Sequence, residues 1–144
     1  MDEIGIAQQC AAKMYADDQA SQDLGIRIEV RVPGSAEARF EVRPDMLNGY
    51  EVCHGGFIFS LADTAFAYAC NTYNKVTLAA GASIEFLRPA KLGDQLMATA
   101  TERHRGRRSG IYDVVVTNQD AVDVAIFRGR SHMTSQPILS LNDT

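Results

Sequence analysis

Residues 55–71 read GGFIFSLADTAFAYACN, and this stretch decides the fold. The stretch is typical of a helix, and apolar residues would occupy nearly the whole circumference of that helix. A helix of this kind is stable in water only when it is buried on all sides. Asp63 is its only charged residue. We therefore expect a long central helix that the rest of the chain encloses.

The sequence before this helix predicts one amphipathic helix and two strands. Apolar residues recur with a period near 3.6 over about 4–18, which indicates the amphipathic helix. Apolar and polar residues then alternate over 26–32 and again over 36–42, as in half-buried strands. Pro33-Gly34 between the two stretches predicts a turn, so the strands should pair as an antiparallel hairpin.

The sequence after the central helix returns to strand-like patterns. Four further strands are predicted, over 76–86, 95–103, 110–116 and 121–128. A turn at 118–120 separates the last two. Strands on both sides of one buried helix predict an α+β fold in which an antiparallel sheet wraps around a single long helix.

Length and composition indicate one ordinary globular domain over 1–144. The chain has 144 residues and a mass of 15.7 kDa, and 46% of its residues are hydrophobic while 22% are charged. The segment 136–144 is expected to be a loose tail. A net charge of -4 and a pI near 5.3 argue against binding to nucleic acid or to an anionic membrane.

The cysteines and histidines argue against disulfides and metal sites. Cys10, Cys53 and Cys70 form an odd set without C-x-x-C spacing, which favours a reducing compartment. The N-terminus starts acidic and lacks a long apolar stretch, so a cytoplasmic location is expected. No histidine has metal-ligand spacing, and no metal site is expected.

Asp63 is the strongest local anomaly. Burial of a carboxylate without a partner costs roughly several kcal/mol. We therefore expect Asp63 to have a hydrogen-bond partner, an ion-pair partner or a catalytic role. Burial should raise its pKa, which would make it a stronger base or nucleophile. A structural carboxylate that a backbone amide satisfies is an equally good interpretation of this residue alone.

His54-Gly55-Gly56 directly precedes the apolar helix. This places unpaired backbone N–H groups at a positively polarised helix end, which can stabilise a developing oxyanion. Taken alone, two glycines are more often just a tight turn into a helix. Gly55 and Asp63 lie eight positions apart, which is about 12 Å along a helix. If both act on one carbonyl, two antiparallel helices across a two-fold axis must supply them.

The chain resembles the hotdog-fold acyl-CoA thioesterases of the phenylacetic acid degradation (PaaI) type. The resemblance covers most of the chain and depends on NGYEVCHGGFIFSLADTAFAYACN from Asn48 and SIEFLRPAKLGD from Ser83. It implies the hotdog fold, dimers that pair into tetramers, and hydrolysis of hydroxyphenylacetyl-CoA or related aryl thioesters in the cytoplasm. No cofactor is implied, because coenzyme A is part of the substrate.

The resemblance also implies roles for individual residues. Asp63 corresponds to the catalytic carboxylate, acting as general base or as nucleophile, and Gly55 to the residue whose N–H polarises the thioester carbonyl. Asn48 and His54 correspond to polar residues that organise the site, and Ser83 to a water-orienting hydroxyl. The family places the carboxylate and the glycine on different chains.

Arginines are the expected contacts for the phosphates of coenzyme A. Arg105, Arg107 and Arg108 lie in the basic segment TERHRGRRSG, and Arg88 follows a predicted strand. The guanidinium group suits phosphate because its donors form a planar fork. A solvated hairpin tip is an equally good interpretation of the basic segment alone.

Two rival functions remain open at this stage. The first is a hotdog hydratase or dehydratase acting on acyl thioesters. The second is a module that binds or senses acyl-CoA without catalysis.

Overall fold

The computed structural model describes residues 1–141 and contains three α-helices and six strands. The helices are α1 (Glu3–Asp17), α2 (Gln19–Asp23) and α3 (Gly55–Cys70), and a short 3-10 turn covers Pro44–Met46. The strands are β1 (Arg27–Glu29), β2 (Ser35–Glu41), β3 (Thr77–Phe86), β4 (Gln95–Arg105), β5 (Ser109–Thr117) and β6 (Asp123–Met133).

The strands form one six-stranded sheet in the order β1-β2-β4-β5-β6-β3, and all neighbouring strands are antiparallel. α3 packs across the inner face of this sheet. Phe66 of α3 contacts Tyr112 and Phe127, with ring centroids 5.7 and 5.8 Å apart. The predicted α+β hotdog architecture, an antiparallel sheet around one central helix, is therefore confirmed.

The core is built where apolar residues of α3 face the sheet. The helix residues that are 0% exposed are Leu61, Ala62, Ala65, Phe66 and Ala69. The three alanines among them, Ala62, Ala65 and Ala69, let the helix lie close to the sheet. Gly129 of β6 leaves the space that the Phe66 ring fills, since a Cβ atom there would lie 2.7 Å from the ring.

One side of α3 and most of β3 remain uncovered in the protomer. Ser60, Asp63, Thr64 and Ala67 are only half-buried, whereas the sequence predicted burial on all sides of the helix. β3 is an edge strand, and all but two of its ten residues are exposed. An exposed, mostly apolar edge strand is a surface that natural proteins usually pair or cover.

The N-terminal helix predicted over about 4–18 is confirmed as α1, and a short second helix, α2, which the sequence did not predict, follows it. α1 ends at Asp17, and Asp18 leaves the helical region with φ -90° and ψ 79°. The Asp18 carboxylate then accepts a hydrogen bond from Ser21 N–H at 3.0 Å and so caps α2. It also accepts one from the hydroxyl of Tyr68 at 2.9 Å, which ties α2 to the central helix.

The predicted strands are present, but several of their ends differ. β1 stops at Glu29 instead of continuing to 32, while β4 and β6 extend to Arg105 and Met133. In β4 and β6, the pairing between strands continues past the residues at which the sequence placed the strand ends. The predicted β1–β2 hairpin and the turn at 118–120 are both observed.

The described part of the C-terminal segment is held in place and is not a loose tail. The side-chain Oδ1 of Asn74 accepts hydrogen bonds from the N–H groups of Ile138 at 3.1 Å and Leu139 at 2.6 Å. Lys13 Nζ donates to the Ile138 carbonyl at 2.7 Å. The rest of the predicted tail, 142–144, lies outside the described residues.

Among the described helices, none is both long and apolar enough to cross a membrane.

Candidate active site

Within residues 1–141, the N-terminus of α3 presents one unpaired backbone donor, the Gly55 N–H. His54 is the N-cap residue, and its Nδ1 accepts a hydrogen bond from Gly56 N–H at 2.9 Å. The Phe57 N–H donates to the His54 carbonyl at 3.0 Å. The Gly55 N–H has no acceptor among residues 1–141. This donor lies at the positive end of the helix dipole, where a developing oxyanion is stabilised.

Asn48 organises the loop that leads into this helix end. Its side-chain Oδ1 accepts hydrogen bonds from Tyr50 N–H at 2.9 Å and Val52 N–H at 3.3 Å. The end of the loop is anchored by two backbone bonds of 2.8 Å, from Cys53 N–H to the Ala90 carbonyl and from His54 N–H to the Met46 carbonyl. Asn48 thus positions the segment that carries Gly55.

Asp63 lies on the uncovered side of α3. Its carboxylate is half-buried and forms no hydrogen bond or ion pair with any of residues 1–141. Burial raises the pKa of this carboxyl above its ordinary value of 3.8. Along the helix it lies about 12 Å from Gly55, so one protomer does not bring the two groups to a single carbonyl.

A pocket of about 330 Å³ opens beside Gly55. Its lining is mainly apolar and consists of Cys53, Gly55, Ile58, Phe86, Leu87, Arg88 and Pro89. The ring of Phe86 lies over Gly55, since a Cβ atom on the glycine would be 3.0 Å from Phe86 Cζ. Arg88 is exposed, and its Nη1 donates to the Asp123 carbonyl at 2.7 Å.

The other three predicted arginines lie at the opposite end of α3. The Arg105 guanidinium stacks 3.6 Å from the ring centroid of Tyr73, just beyond the C-terminus of the helix. The Tyr73 hydroxyl donates to Glu102 at 2.7 Å, which fixes the ring. Arg107 and Arg108 are exposed in the β4–β5 turn. α3 has 16 residues and is about 24 Å long, so these arginines are not near Arg88 within one protomer.

Ser83 does not lie with the other predicted site residues, which corrects its proposed role as a water-orienting hydroxyl. In β3 it pairs with Arg128, and directly paired residues share a face of the sheet. The next pair, Ile84 with Phe127, faces α3, because Phe127 contacts Phe59 and Phe66. Ser83 therefore lies on the outer face of the sheet, away from Asp63 and Gly55.

Two side chains near the pocket show what the sequence could and could not identify. Cys53 is 4% exposed, and burial raises its pKa to about 11, which fits a buried structural thiol and not a thiol nucleophile. Phe86 was not among the predicted site residues. A signal was present, because it lies in the family-like segment SIEFLRPAKLGD, but strand periodicity alone gave it no role.

Comparisons with known proteins agree with this geometry. Residues 50–125 match the thioesterase superfamily. The acyl-coenzyme A thioesterase PaaI of Escherichia coli K12 is 48% identical over 126 residues, which cover 88% of this chain and 90% of the relative.

Solved structures give the same result. The E. coli PaaI protein from the phenylacetic acid degradation operon superposes with a TM-score of 0.92 at 45% identity, covering 94% of this chain and 99% of the other. A Streptococcus mutans UA159 protein bound to acetyl CoA superposes with a TM-score of 0.74 at 29% identity, covering 78% and 90%. The chain therefore belongs to the thioesterase superfamily, and it is a hotdog-fold acyl-CoA thioesterase of the PaaI type.

Proposed function

We propose that this enzyme hydrolyses aryl-CoA thioesters of the hydroxyphenylacetyl type in phenylacetate catabolism, at active sites shared between two protomers. One observation carries the shared site. In the part of the chain that the structure describes, the Gly55 N–H and the Asp63 carboxylate of α3 have no hydrogen-bond partner, and they lie about 12 Å apart on one helix. The E. coli relative, which comes from a phenylacetic acid degradation operon, supports the choice of substrate.

The uncovered surfaces of the protomer support a two-fold dimer. Ser60, Asp63, Thr64 and Ala67 on α3 are small enough to let a second helix approach closely. The adjacent edge strand β3 can extend the sheet into a partner. Two antiparallel α3 helices would then bring Gly55 of one protomer toward Asp63 of the other. We further propose that such dimers pair into homotetramers.

The chemistry follows from these two groups. The thioester carbonyl oxygen accepts from the Gly55 N–H, and the partner's Asp63 removes a proton from water. The resulting hydroxide attacks the carbonyl carbon, and the tetrahedral oxyanion is stabilised at the helix end. Collapse of this intermediate breaks the C–S bond and releases the acid and the CoA thiolate, and Asp63 returns its proton to the thiolate. No cofactor is used, because coenzyme A is part of the substrate.

Direct attack by Asp63 is the other route that the site allows. The carboxylate oxygen would bond to the carbonyl carbon and expel the CoA thiolate, which leaves a mixed anhydride that water then hydrolyses. Single-turnover hydrolysis in H₂¹⁸O distinguishes the routes. When water attacks the aspartyl carbon of the anhydride, one labelled oxygen stays in the Asp63 carboxylate, whereas general-base attack labels only the released acid, so isotope in the protein would identify the anhydride route.

Arginines are proposed to hold the phosphates of the coenzyme A moiety. Arg88 lies at the pocket of its own protomer. Arg105, Arg107 and Arg108 lie beside the C-terminal end of α3. In an antiparallel dimer that end would lie toward the partner's Gly55. A relative that was solved with acetyl CoA supports coenzyme A as the bound group. We also propose a cytoplasmic location, where the three buried cysteines would stay reduced.

Thiol release from phenylacetyl-CoA, hydroxyphenylacetyl-CoA and hexanoyl-CoA tests the proposed activity. We expect the aryl substrates to have the highest kcat/KM, and Asp63→Asn to abolish thiol release while the dimer stays folded. Tight binding without thiol release would instead indicate a binding module. Water addition to an enoyl-CoA without thiol release would indicate a hydratase.

Mixed dimers test the sharing of the site. A chain with Asp63→Asn is combined with a chain whose Gly55 N–H has been removed by Gly55→Pro. Each heterodimer then has one doubly altered site and one intact site. Each heterodimer should therefore have about half of the activity of a wild-type dimer. Continued inactivity in heterodimers isolated by two affinity tags would contradict a shared site.

A further inference from the structure

We infer that Phe86 is the specificity-determining residue for the acyl group, and that its ring forms the surface on which the aromatic ring of the substrate packs. This inference rests on the proposed hydrolysis at Gly55 and adds the residue that selects the substrate. It begins from the position of Phe86. The side chain is 51% exposed although it is large and apolar, and its ring lines the pocket that adjoins the carbonyl-binding N–H.

The distance between Phe86 and Gly55 places the ring beside the reacting carbonyl. A Cβ atom at Gly55 would meet three ring atoms of Phe86, at 3.0, 3.3 and 3.5 Å. Gly55 and Phe86 also line one pocket, so we place one of the two substituents of a thioester carbonyl that accepts from the Gly55 N–H next to this ring. That substituent is either the acyl group or the sulfur and the pantetheine arm.

The chemistry of the pocket favours the acyl group. The pantetheine arm contains two amides, and burying an amide without a hydrogen-bond partner is costly. Apart from the exposed Arg88 and the Cys53 thiol, the side chains of the pocket are apolar. The Cys53 thiol already contacts the His54 carbonyl at 3.6 Å. These walls match a hydrocarbon group and offer few partners to an amide chain.

The size and aromatic wall of the pocket then favour an aryl group. A volume of about 330 Å³ is near the lower end of ligand pockets, which extend over roughly 300–1,000 Å³. Two aromatic rings in offset or edge-to-face contact gain about 0.5–1.5 kcal/mol beyond the burial of their area. This gain is absent for a saturated ring of the same size. The Phe86 ring can therefore distinguish an aromatic acyl group from a saturated one.

The experiment compares phenylacetyl-CoA with cyclohexylacetyl-CoA, which differ in aromaticity and hardly in size. For Phe86→Leu we expect the ratio of their kcat/KM values to fall by about 2- to 12-fold. Phe86→Tyr keeps the ring and should keep the ratio. Leu92→Ala removes a similarly exposed apolar side chain outside the pocket, 55% exposed, and should leave the ratio unchanged.

Each outcome decides the inference separately from the proposed function. An unchanged ratio for Phe86→Leu, with both substrates slowed equally, would overturn the inference and place the CoA arm in the pocket. If the wild type releases no thiol from either substrate, the proposed function itself fails. If Phe86→Leu does not fold, Phe86→Met fills a similar volume with a flexible chain and carries the same comparison.

Discussion

The backbone N–H of Gly56 donates to Nδ1 of His54 at 2.9 Å, and this bond leaves the Gly55 N–H as the unpaired donor at the start of α3. The capped donor and the unpaired donor belong to adjacent residues. The cap bond and the unpaired N–H can therefore be removed by separate substitutions. Loss of the cap bond should lower stability, and loss of the unpaired N–H should lower kcat.

Gly55→Pro should remove the oxyanion donor with little change to the helix. Gly55 is the first helical residue, where proline is well tolerated, and His54 has the extended ψ of 133° that a residue before proline prefers. Gly55→Ala is the matched control, because it adds the same Cβ near Phe86 but keeps the N–H. We expect kcat for the proline variant to be about 100- to 1000-fold below that of the alanine variant. Equal kcat values would show that this N–H is not used.

His54→Ala should destabilise α3, whereas His54→Asn should not. Alanine removes the acceptor that caps Gly56 N–H, and loss of an N-cap costs about 0.5–2 kcal/mol of unfolding free energy. Asparagine can accept the same bond. Urea unfolding measures both effects, and kcat measured alongside shows whether His54 acts only through the cap. If asparagine and alanine were equally destabilising, the capping role would be wrong.

The fold was predictable because its signals are local. The alternation before and after α3 gives the strands, and the apolar run over 55–71 gives the central helix. The N-terminal helix was predicted from its apolar period and is observed as α1, whereas the short helix α2 was not predicted, because its five residues are too few to show such a period.

The site was predictable in part, and the exception has a physical cause. Asn48 and His54 accept local hydrogen bonds around the helix end that carries Gly55, which their order in the sequence already indicates. Ser83 lies in β3, which is exposed along most of its length, so no alternation of burial shows which face a residue takes. A register shift between Ala79 and Gly81 further changes the alternation along this strand.

Gly129→Ala should destabilise the core. The added Cβ would lie 2.7–2.8 Å from three atoms of the Phe66 ring, and that ring is held by Tyr112 and Phe127. Overpacking of this kind costs about 1–3 kcal/mol. Gly49→Ala is the control, because no atom of residues 1–141 outside its immediate surroundings lies within 4 Å of the Cβ there. Urea denaturation should give a lower midpoint for Gly129→Ala only, and an unchanged midpoint would mean that the core yields at this point.

Asp63→Asn should remove activity and yet stabilise the protein at neutral pH. Burial raises the pKa of the carboxyl in the folded state above its ordinary value of 3.8, so the folded state binds the proton more tightly than the unfolded state does. Stability therefore falls as pH rises through the interval between the two pKa values, and the deficit is complete above the raised value. Asparagine does not ionise and avoids this deficit.

Thermal unfolding from about pH 3 to pH 8 measures the effect of Asp63→Asn. The variant should have the higher Tm at neutral pH, and the two Tm curves should converge in acid, where Asp63 is protonated in both states. Wild-type kcat/KM should fall over the same acid range, because the neutral carboxyl cannot act as base or nucleophile. Ser60→Ala, one turn away on the same face of α3, is the control for a general effect of substitution there. If the variant were less stable than the wild type at neutral pH, Asp63 would have a favourable partner in the assembled enzyme. Burial would then not be what determines the contribution of this carboxylate to stability.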